Sequence, residues 1–169
     1  MIDFKRKLKN FGPLEILVIS SFLYVLVMLT WTASTRSQVI KRASDIKSNH
    51  KTVVAFVNDE INLCSSNING VTKWGENCSS VWTSSKIVKY ILDNFKLNNP
   101  YNTKKSLVQT AQDPRIQAEG KAGQSTDKGI IFVSSNNFDS EAGSEWIIGT
   151  CVKSPCVAAG NNELASVYR

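Results

Sequence analysis

The stretch "FGPLEILVISSFLYVLVMLTW", residues 11–31, decides how the first part of this 169-residue chain folds. It carries no charge between Ile16 and Trp31, and aliphatic and aromatic side chains dominate it. With the weakly polar residues beside it, the uncharged segment is about 20 residues long, enough for a helix to cross about 30 Å of hydrocarbon. The sequence therefore predicts one transmembrane helix over about residues 14–31, with Trp31 at the outer interface and a water-soluble remainder.

Basic residues flank the apolar run on both sides. The group that precedes it is denser and closer than the group that follows within residues 36–47, so it favours a cytoplasmic N-terminus. Residues 1–10 hold four basic residues and one acidic residue, and they supply +3 of the formal net charge of +6. The rest of the chain carries only +3, so its charge does not indicate a nucleic-acid-binding protein.

The second half of the N-terminal helix is predicted from apolar residues that recur at gaps of three, four and seven, which is one stripe of an amphipathic helix. Neither glycine nor proline occurs between Leu14 and Ser66, so we expect one continuous helix over about residues 14–63. An anchor, a flexible stalk and a separate helix are the alternative. The stripe consists of Val39, Ala43, Ile46, Val53, Val57, Ile61 and Cys64.

All four cysteines follow the apolar run, at Cys64, Cys78, Cys151 and Cys156. An even number in a polar region predicts disulfide bonds and an oxidising compartment such as a periplasm. Of the three possible connectivities we favour the two closest pairings, Cys64–Cys78 and Cys151–Cys156. A zinc site is the competing interpretation, although the spacings contain no C-x-x-C.

The remainder of the chain is predicted to form a small α+β head. A second helix, capped by Ser79 or Ser80, is expected to end near Asn98, because Asn99 precedes Pro100. The polar region after it is predicted to hold turns and one short strand around residues 115–118. Three β-prone runs, "GIIFVSS", "SEWIIGTCV" and "ASVYR", predict a small antiparallel sheet, with the long N-terminal helix covering one face.

A single acidic residue, Glu15, lies just inside the entrance of the apolar run. A charge at the centre of a bilayer costs about 2.5–3.5 kcal/mol, so Glu15 lies outside the hydrocarbon or has a function there. A non-functional acid would sit in headgroup water at a helix N-terminus, where the helix dipole favours negative charge. The residues alone leave both interpretations open.

The basic leader "MIDFKRKLKN" followed by "FGPLEILVISS" resembles the class III signal of type IV pilins and of the related pseudopilins of type II secretion. "TRSQV", residues 35–39, is also similar to the segment after the membrane half of many pilins. The resemblance implies cleavage by prepilin peptidase between Asn10 and Phe11, with N-methylation of Phe11 and with Glu15 as the fifth residue. Asn10 stands where the family nearly always has glycine.

The resemblance implies a leader over residues 1–10, a long helix over residues 11–63 and a periplasmic or extracellular head over residues 64–169. It implies a structural subunit that passes from the inner membrane into a pilus or pseudopilus made of like or related pilin subunits. In the family the carboxylate corresponding to Glu15 pairs with the N-terminal amine of a neighbouring subunit. The alternative is an uncleaved single-pass anchor with a periplasmic binding head.

Other candidate sites carry weaker signals. His50, between Lys47 and Lys51 in the sequence, is interpreted as a solvated side chain, and the chain is predicted not to be an enzyme. We expect no cofactor, metal ion or small-molecule substrate. A loop with Asp139, Glu141 and Glu145 offers oxygen ligands for Ca²⁺, but a solvated turn is the favoured interpretation.

Two further groups of residues were considered as interaction sites. Trp74, Trp82 and Trp146 are interpreted as core residues rather than as a binding surface. Lys104 and Lys105 are the support for DNA binding by the head, which we regard as improbable.

Overall fold

The computed structural model describes residues 12–119, 128–136 and 145–169. The chain divides into two compact units, one that ends at Ile40 and one that runs from Lys41 to Arg169. The second unit is called the head below.

Helix α1, Pro13–Ser66, is continuous, as the absence of internal glycine and proline predicts, and it ends three residues later than expected. Its first residue is a proline. The N–H group at the first position of a helix has no partner within the helix, so proline, which lacks this group, loses no hydrogen bond there. Within the head, its buried residues include five members of the predicted stripe: Ile46, Val53, Val57, Ile61 and Cys64. The amphipathic interpretation is therefore confirmed from Ile46 to Cys64, whereas Val39 at the start of the predicted stripe is exposed.

The head contains a four-stranded sheet in the order β1-β2-β3-β4. The strands are β1 Val108–Thr110, β2 Ile131–Ser135, β3 Glu145–Cys151 and β4 Asn162–Tyr168. The three strands predicted from the sequence, β2 to β4, pair antiparallel as expected. The three-residue β1 adds a parallel pair to β2, with Val108 opposite Ile131, so the sheet is mixed.

The prediction of a short strand around residues 115–118 is wrong, because this segment forms helix α3, Pro114–Glu119. Pro114 is its first residue, and the side chain of Asp113 accepts a hydrogen bond from the Arg115 N–H at 2.9 Å. An acidic cap followed by proline is a helix-starting signal, and it overrides weak strand propensity over so few residues.

Helix α2, Ser84–Asn94, is shorter at both ends than predicted. Residues before it form a turn in which the Ser80 N–H bonds to the Asn77 carbonyl, so neither Ser79 nor Ser80 caps the helix. Thr83 occupies the N-cap position without a capping side-chain bond. The chain becomes extended at Phe95, four residues before the asparagine that precedes Pro100.

The sheet is covered on both faces, since all five residues of β2 are buried. One face shares a hydrophobic core with α1 and α2, and α3 packs against β3 from the other. The three tryptophans considered above belong to this core, with Trp82 and Trp146 only 2% and 1% exposed. Trp74 and Trp82 pack edge to face at 5.0 Å, so the core interpretation of these residues is confirmed.

Gly149 allows α3 to approach β3 closely. A Cβ atom at this position would lie 2.6 Å from the Pro114 carbonyl oxygen and 2.9 Å from the Ala118 Cβ. Gly149→Ala is therefore expected to lower the free energy of unfolding by about 1–3 kcal/mol, as overpacking typically does. Chemical denaturation of the detergent-solubilised full chain measures this change.

Gly12→Ala is the matched control, because nothing lies within 4 Å of a Cβ built at Gly12. Equal stability of the two variants would contradict the close packing of α3 on β3.

Candidate assembly segment and head surface

The first half of α1 presents a long row of exposed apolar side chains. Its most apolar 18-residue window has a mean hydropathy of 2.1, and none of that window is buried by the rest of the chain. The helix is long and apolar enough to cross a membrane by length and composition. Such a surface needs a cover that the described part of the chain does not supply.

Five hydroxyl groups of this half are satisfied within the helix. Ser20 donates to the Leu17 carbonyl at 3.0 Å, and Ser21 donates to the Val18 carbonyl at 2.8 Å. Thr30, Thr32 and Thr35 bond in the same way to carbonyls of the preceding turn. These polar groups therefore need no water, which suits a segment placed in hydrocarbon.

Glu15 lies at the start of α1, where its carboxylate Oε2 accepts a hydrogen bond from the Gly12 N–H at 3.0 Å. This contact resembles the returning half of a capping box, in which an acidic side chain at the third helical position satisfies an unpaired backbone donor. Among the residues that the structure describes, no basic side chain lies within 4 Å of the carboxylate. The predicted processing residues Asn10 and Phe11 lie outside the described residues.

The four cysteines form the two pairs that the sequence favours, Cys64–Cys78 and Cys151–Cys156. Their Cα atoms are 5.1 and 5.2 Å apart, within the usual range for a disulfide bond. All four sulfurs form disulfide bonds and none remains as a thiolate ligand, so the zinc interpretation is wrong. Within the described ranges, no cluster of three histidine, cysteine or acidic side chains is placed to hold a metal ion.

Two buried carboxylates organise the loop that Cys64–Cys78 closes. Glu60 accepts the Lys73 N–H at 2.9 Å and forms an ion pair with the Lys73 ammonium at 2.7 Å. The hydrogen bond to Glu60 raises the pKa of Lys73. Glu76 accepts hydrogen bonds from the Trp74 indole at 2.9 Å and from the Thr83 N–H at 3.0 Å. The sequence carried no signal for these contacts, because both glutamates resemble ordinary surface acids.

His50 is buried, so its interpretation as a solvated side chain is wrong. It is 4% exposed, and its Nε2 donates to the Ile148 carbonyl on β3 at 3.0 Å. The signal that reveals this is the gap of seven in the apolar stripe between Ile46 and Val53. A residue four positions after Ile46 and three before Val53 lies on the same face of a helix.

Burial lowers the pKa of His50, although the bond to Ile148 and the charge of Glu163 act in the opposite direction. Glu163 also forms an ion pair with Lys47 at 2.6 Å. His50 and Glu163 border an open groove between α1 and the edge strand β4, and Val54 and Tyr168 also line this groove.

Glu145 of the acidic loop has structural partners. Its Oε1 is 2.8 Å from Arg115 Nη2, and the Tyr168 hydroxyl donates to the same oxygen at 3.4 Å. The hydrogen bond from Ser166 is the main cause that lowers the pKa of Glu145, and the hydrogen bond from Arg115 lowers it further. The other two Ca²⁺ candidates, Asp139 and Glu141, lie outside the described residues.

Comparison of the chain with protein-family models, with curated proteins and with solved structures gave no significant match. The function proposed below therefore rests on the residues and on the geometry described above.

The buried His50 predicts a pH dependence of stability. Its pKa is lower in the folded than in the unfolded head, so the unfolded state takes up a proton first as the pH falls. The free energy of unfolding is expected to decrease from about pH 7.5 through the unfolded pKa of about 6.5 and below, by at most about 1.4 kcal/mol per pH unit. Denaturant unfolding at several pH values measures this slope.

His50→Gln is the informative variant, because its amide keeps a hydrogen-bond donor without titrating. It should flatten the dependence between pH 7.5 and pH 5.5. Equal slopes in the wild type and the variant would show that His50 does not titrate differently on folding.

Proposed function

We propose that this chain is a pilin-like structural subunit that polymerises through the apolar half of α1. The observation that carries the proposal is the division of one uninterrupted helix into an exposed apolar half and a half built into the core of the head. A membrane covers the apolar half before assembly, and the same halves of neighbouring subunits cover it in the filament. The combination of the basic leader, Phe11 and Glu15 in the sequence supports the interpretation of the exposed helix as a pilin-like assembly segment.

Exchange of lipid for protein gives an apolar helix little hydrophobic free energy, because lipid tails are as apolar as leucine. Close packing and polar pairs must therefore decide whether, and in which axial register, the helices associate. Glu15 is the acidic group of this segment, at its first turn. We assign it the role of pairing with the α-amino group that cleavage creates on Phe11 of a neighbouring subunit.

Pairing is physically reasonable because an unpaired ion in a dry environment costs several kcal/mol, whereas a hydrogen-bonded pair recovers much of that cost. The bond from the Gly12 N–H holds the carboxylate at the start of α1, where an incoming amine would meet it. The two disulfides suit a head that works in an oxidising compartment outside the cytoplasm. The proposed role is structural, with no reaction catalysed.

An uncleaved single-pass anchor with a periplasmic binding head is the second candidate. Two observations favour it: Asn10 replaces the glycine usual before the cut, and Glu15 has a partner within its own chain. In this case the apolar half of α1 would remain in lipid.

Removal of the carboxylate tests the assembly role. Glu15→Gln and Glu15→Ala are expected to leave membrane insertion unchanged, because the apolar run is intact, and to lower incorporation into filaments by tenfold or more. The measurement compares subunit in sheared filaments with subunit in the membrane fraction. Asp45→Asn, which removes an exposed acid from the head half of the same helix, serves as the control and should incorporate normally. Normal incorporation of both Glu15 variants would refute the pairing role.

Processing separates the two candidate functions. Intact-mass analysis of the membrane-extracted protein should show loss of residues 1–10 and a methyl group on Phe11. Asn10→Gly should increase the processed fraction if the peptidase acts here at all. If both the wild type and the Asn10→Gly variant retain Met1 in cells that process other pilins, the result would favour the single-pass anchor.

A further inference from the structure

The groove between α1 and the edge strand β4 lies wholly within the head, and we call it the edge groove. It is open to solvent and has a volume of about 630 Å³, within the range of ligand sites in proteins. The residues of its helical wall share one face of α1, because they repeat at a spacing of four. They are His50, Lys51, Val54, Ala55 and Asn58.

The opposite wall of the edge groove is the backbone edge of β4. The groove is lined by six consecutive residues, 163–168, whereas one face of a strand would contribute only every second residue. β4 is the last strand in the sheet order, and in the described part of the chain no backbone hydrogen bond joins its outer side to another segment. The N–H and C=O groups that point outward from alternate residues are therefore open to a further strand.

β4 lacks the features that usually protect the edge of a sheet. Its seven residues include no lysine, proline or glycine. The charged residue of the strand, Glu163, forms an ion pair with Lys47 at 2.6 Å. Leu164 and Tyr168 are exposed. An edge of this length and composition is suited to pairing with another chain segment.

Lys51 gives the edge groove a positive charge. Its side chain is exposed, and no carboxylate lies within 4 Å of its ammonium among residues 12–119, 128–136 and 145–169. The nearest turn of α1 carries Lys47, which already binds the carboxylate of Glu163. An acidic side chain on a bound segment would therefore complement the charge of Lys51.

His50 adds a hydrogen-bond acceptor to the helical wall. It is almost fully buried, and its Nδ1 has no hydrogen-bond partner within the described ranges. Because Nε2 donates to the Ile148 carbonyl, Nδ1 of the neutral ring can only accept a hydrogen bond. A ligand that brings an N–H or hydroxyl group to this ring would satisfy the nitrogen.

We propose that the edge groove binds an extended peptide segment of a partner protein, which pairs with β4 as a fifth strand and places an acidic side chain beside Lys51. Strand addition to an exposed edge is an established mode of peptide recognition, in which main-chain hydrogen bonds supply affinity and side-chain contacts supply specificity. The inference goes beyond the proposed function and does not depend on filament formation, because all walls of the groove belong to the head.

Selection from a displayed library of random peptides, about 12 residues long, on the detergent-solubilised full chain tests the proposal. Enriched peptides should carry an acidic residue within an alternating apolar pattern. Synthetic copies that are N-methylated at alternate positions then separate strand addition from other kinds of contact. Methylation of one alternate set should weaken binding by about tenfold or more and methylation of the other set by much less, because only every second N–H of an added strand faces β4.

Ala55→Tyr fills the edge groove from an exposed position on α1 and should weaken binding of the enriched peptide by about tenfold or more. Thr52→Tyr is the matched control, because Thr52 is exposed on the same helix and does not line the groove. This control should bind the peptide within about twofold of the wild type. Thermal unfolding of each variant shows whether the head remains folded.

Lys51→Gln removes the charge of the groove and should weaken the acidic peptide by about two- to fivefold, the range of an exposed ion pair. Lys89→Gln removes an exposed lysine that does not line the groove and should leave the affinity unchanged. Lys51→Glu should reverse the preference between the enriched peptide and a copy in which lysine replaces its acidic residue.

Three outcomes would overturn the proposal: no enrichment over empty detergent micelles, an equal loss in Ala55→Tyr and Thr52→Tyr, or an equal effect of N-methylation at both sets of positions. Light scattering tests a second copy as the occupant. Dimerisation that Ala55→Tyr abolishes, without peptide binding, would replace the partner peptide by a second chain. Filament incorporation is a separate readout, so a chain that binds the peptide but never enters filaments keeps the edge groove and removes the proposed function.

Discussion

The continuity of α1 is the constraint on which the rest of the structure depends. No glycine or proline interrupts the helix between its first residue and Ser66, so the backbone cannot separate the apolar half from the half that carries the core of the head. The first half exposes its apolar side chains, and the second half buries Ile46, Val53 and Val57 under the sheet. Helix α1 therefore belongs both to the core of the head and to the apolar segment that a membrane or neighbouring subunits would cover.

The head is held on α1 by a few buried polar contacts as well as by apolar packing. His50 donates to a carbonyl of β3, and Glu60 binds the backbone and side chain of Lys73 in the disulfide-closed loop. Each contact satisfies a polar group that would be costly to bury alone. Such contacts are directional, so they fix where the sheet and the loop lie along the helix, which apolar packing alone specifies less strictly.

Local pattern predicted the elements that follow a regular period. The helix stripe and the three antiparallel strands were recognised because apolar side chains recur at helical or strand spacing over enough residues. Strand β1 was missed because three residues cannot show a period, and its pairing to β2 depends on a distant segment. The same weakness explains the error at residues 115–118, where the cap at Asp113 and Pro114 decides the local structure.

By itself the sequence determined the apolar run and the unbroken helix, and it predicted the pairing of cysteines close in the chain. These features depend on composition or on short separations, where the chain's own geometry restricts the alternatives. Only the tertiary structure decided that His50 donates to the Ile148 carbonyl of β3 and that Arg42 and Lys128 lie near the Tyr101 ring. Those contacts join residues that are far apart in the sequence, and side-chain identity does not reveal such a meeting before the core has formed.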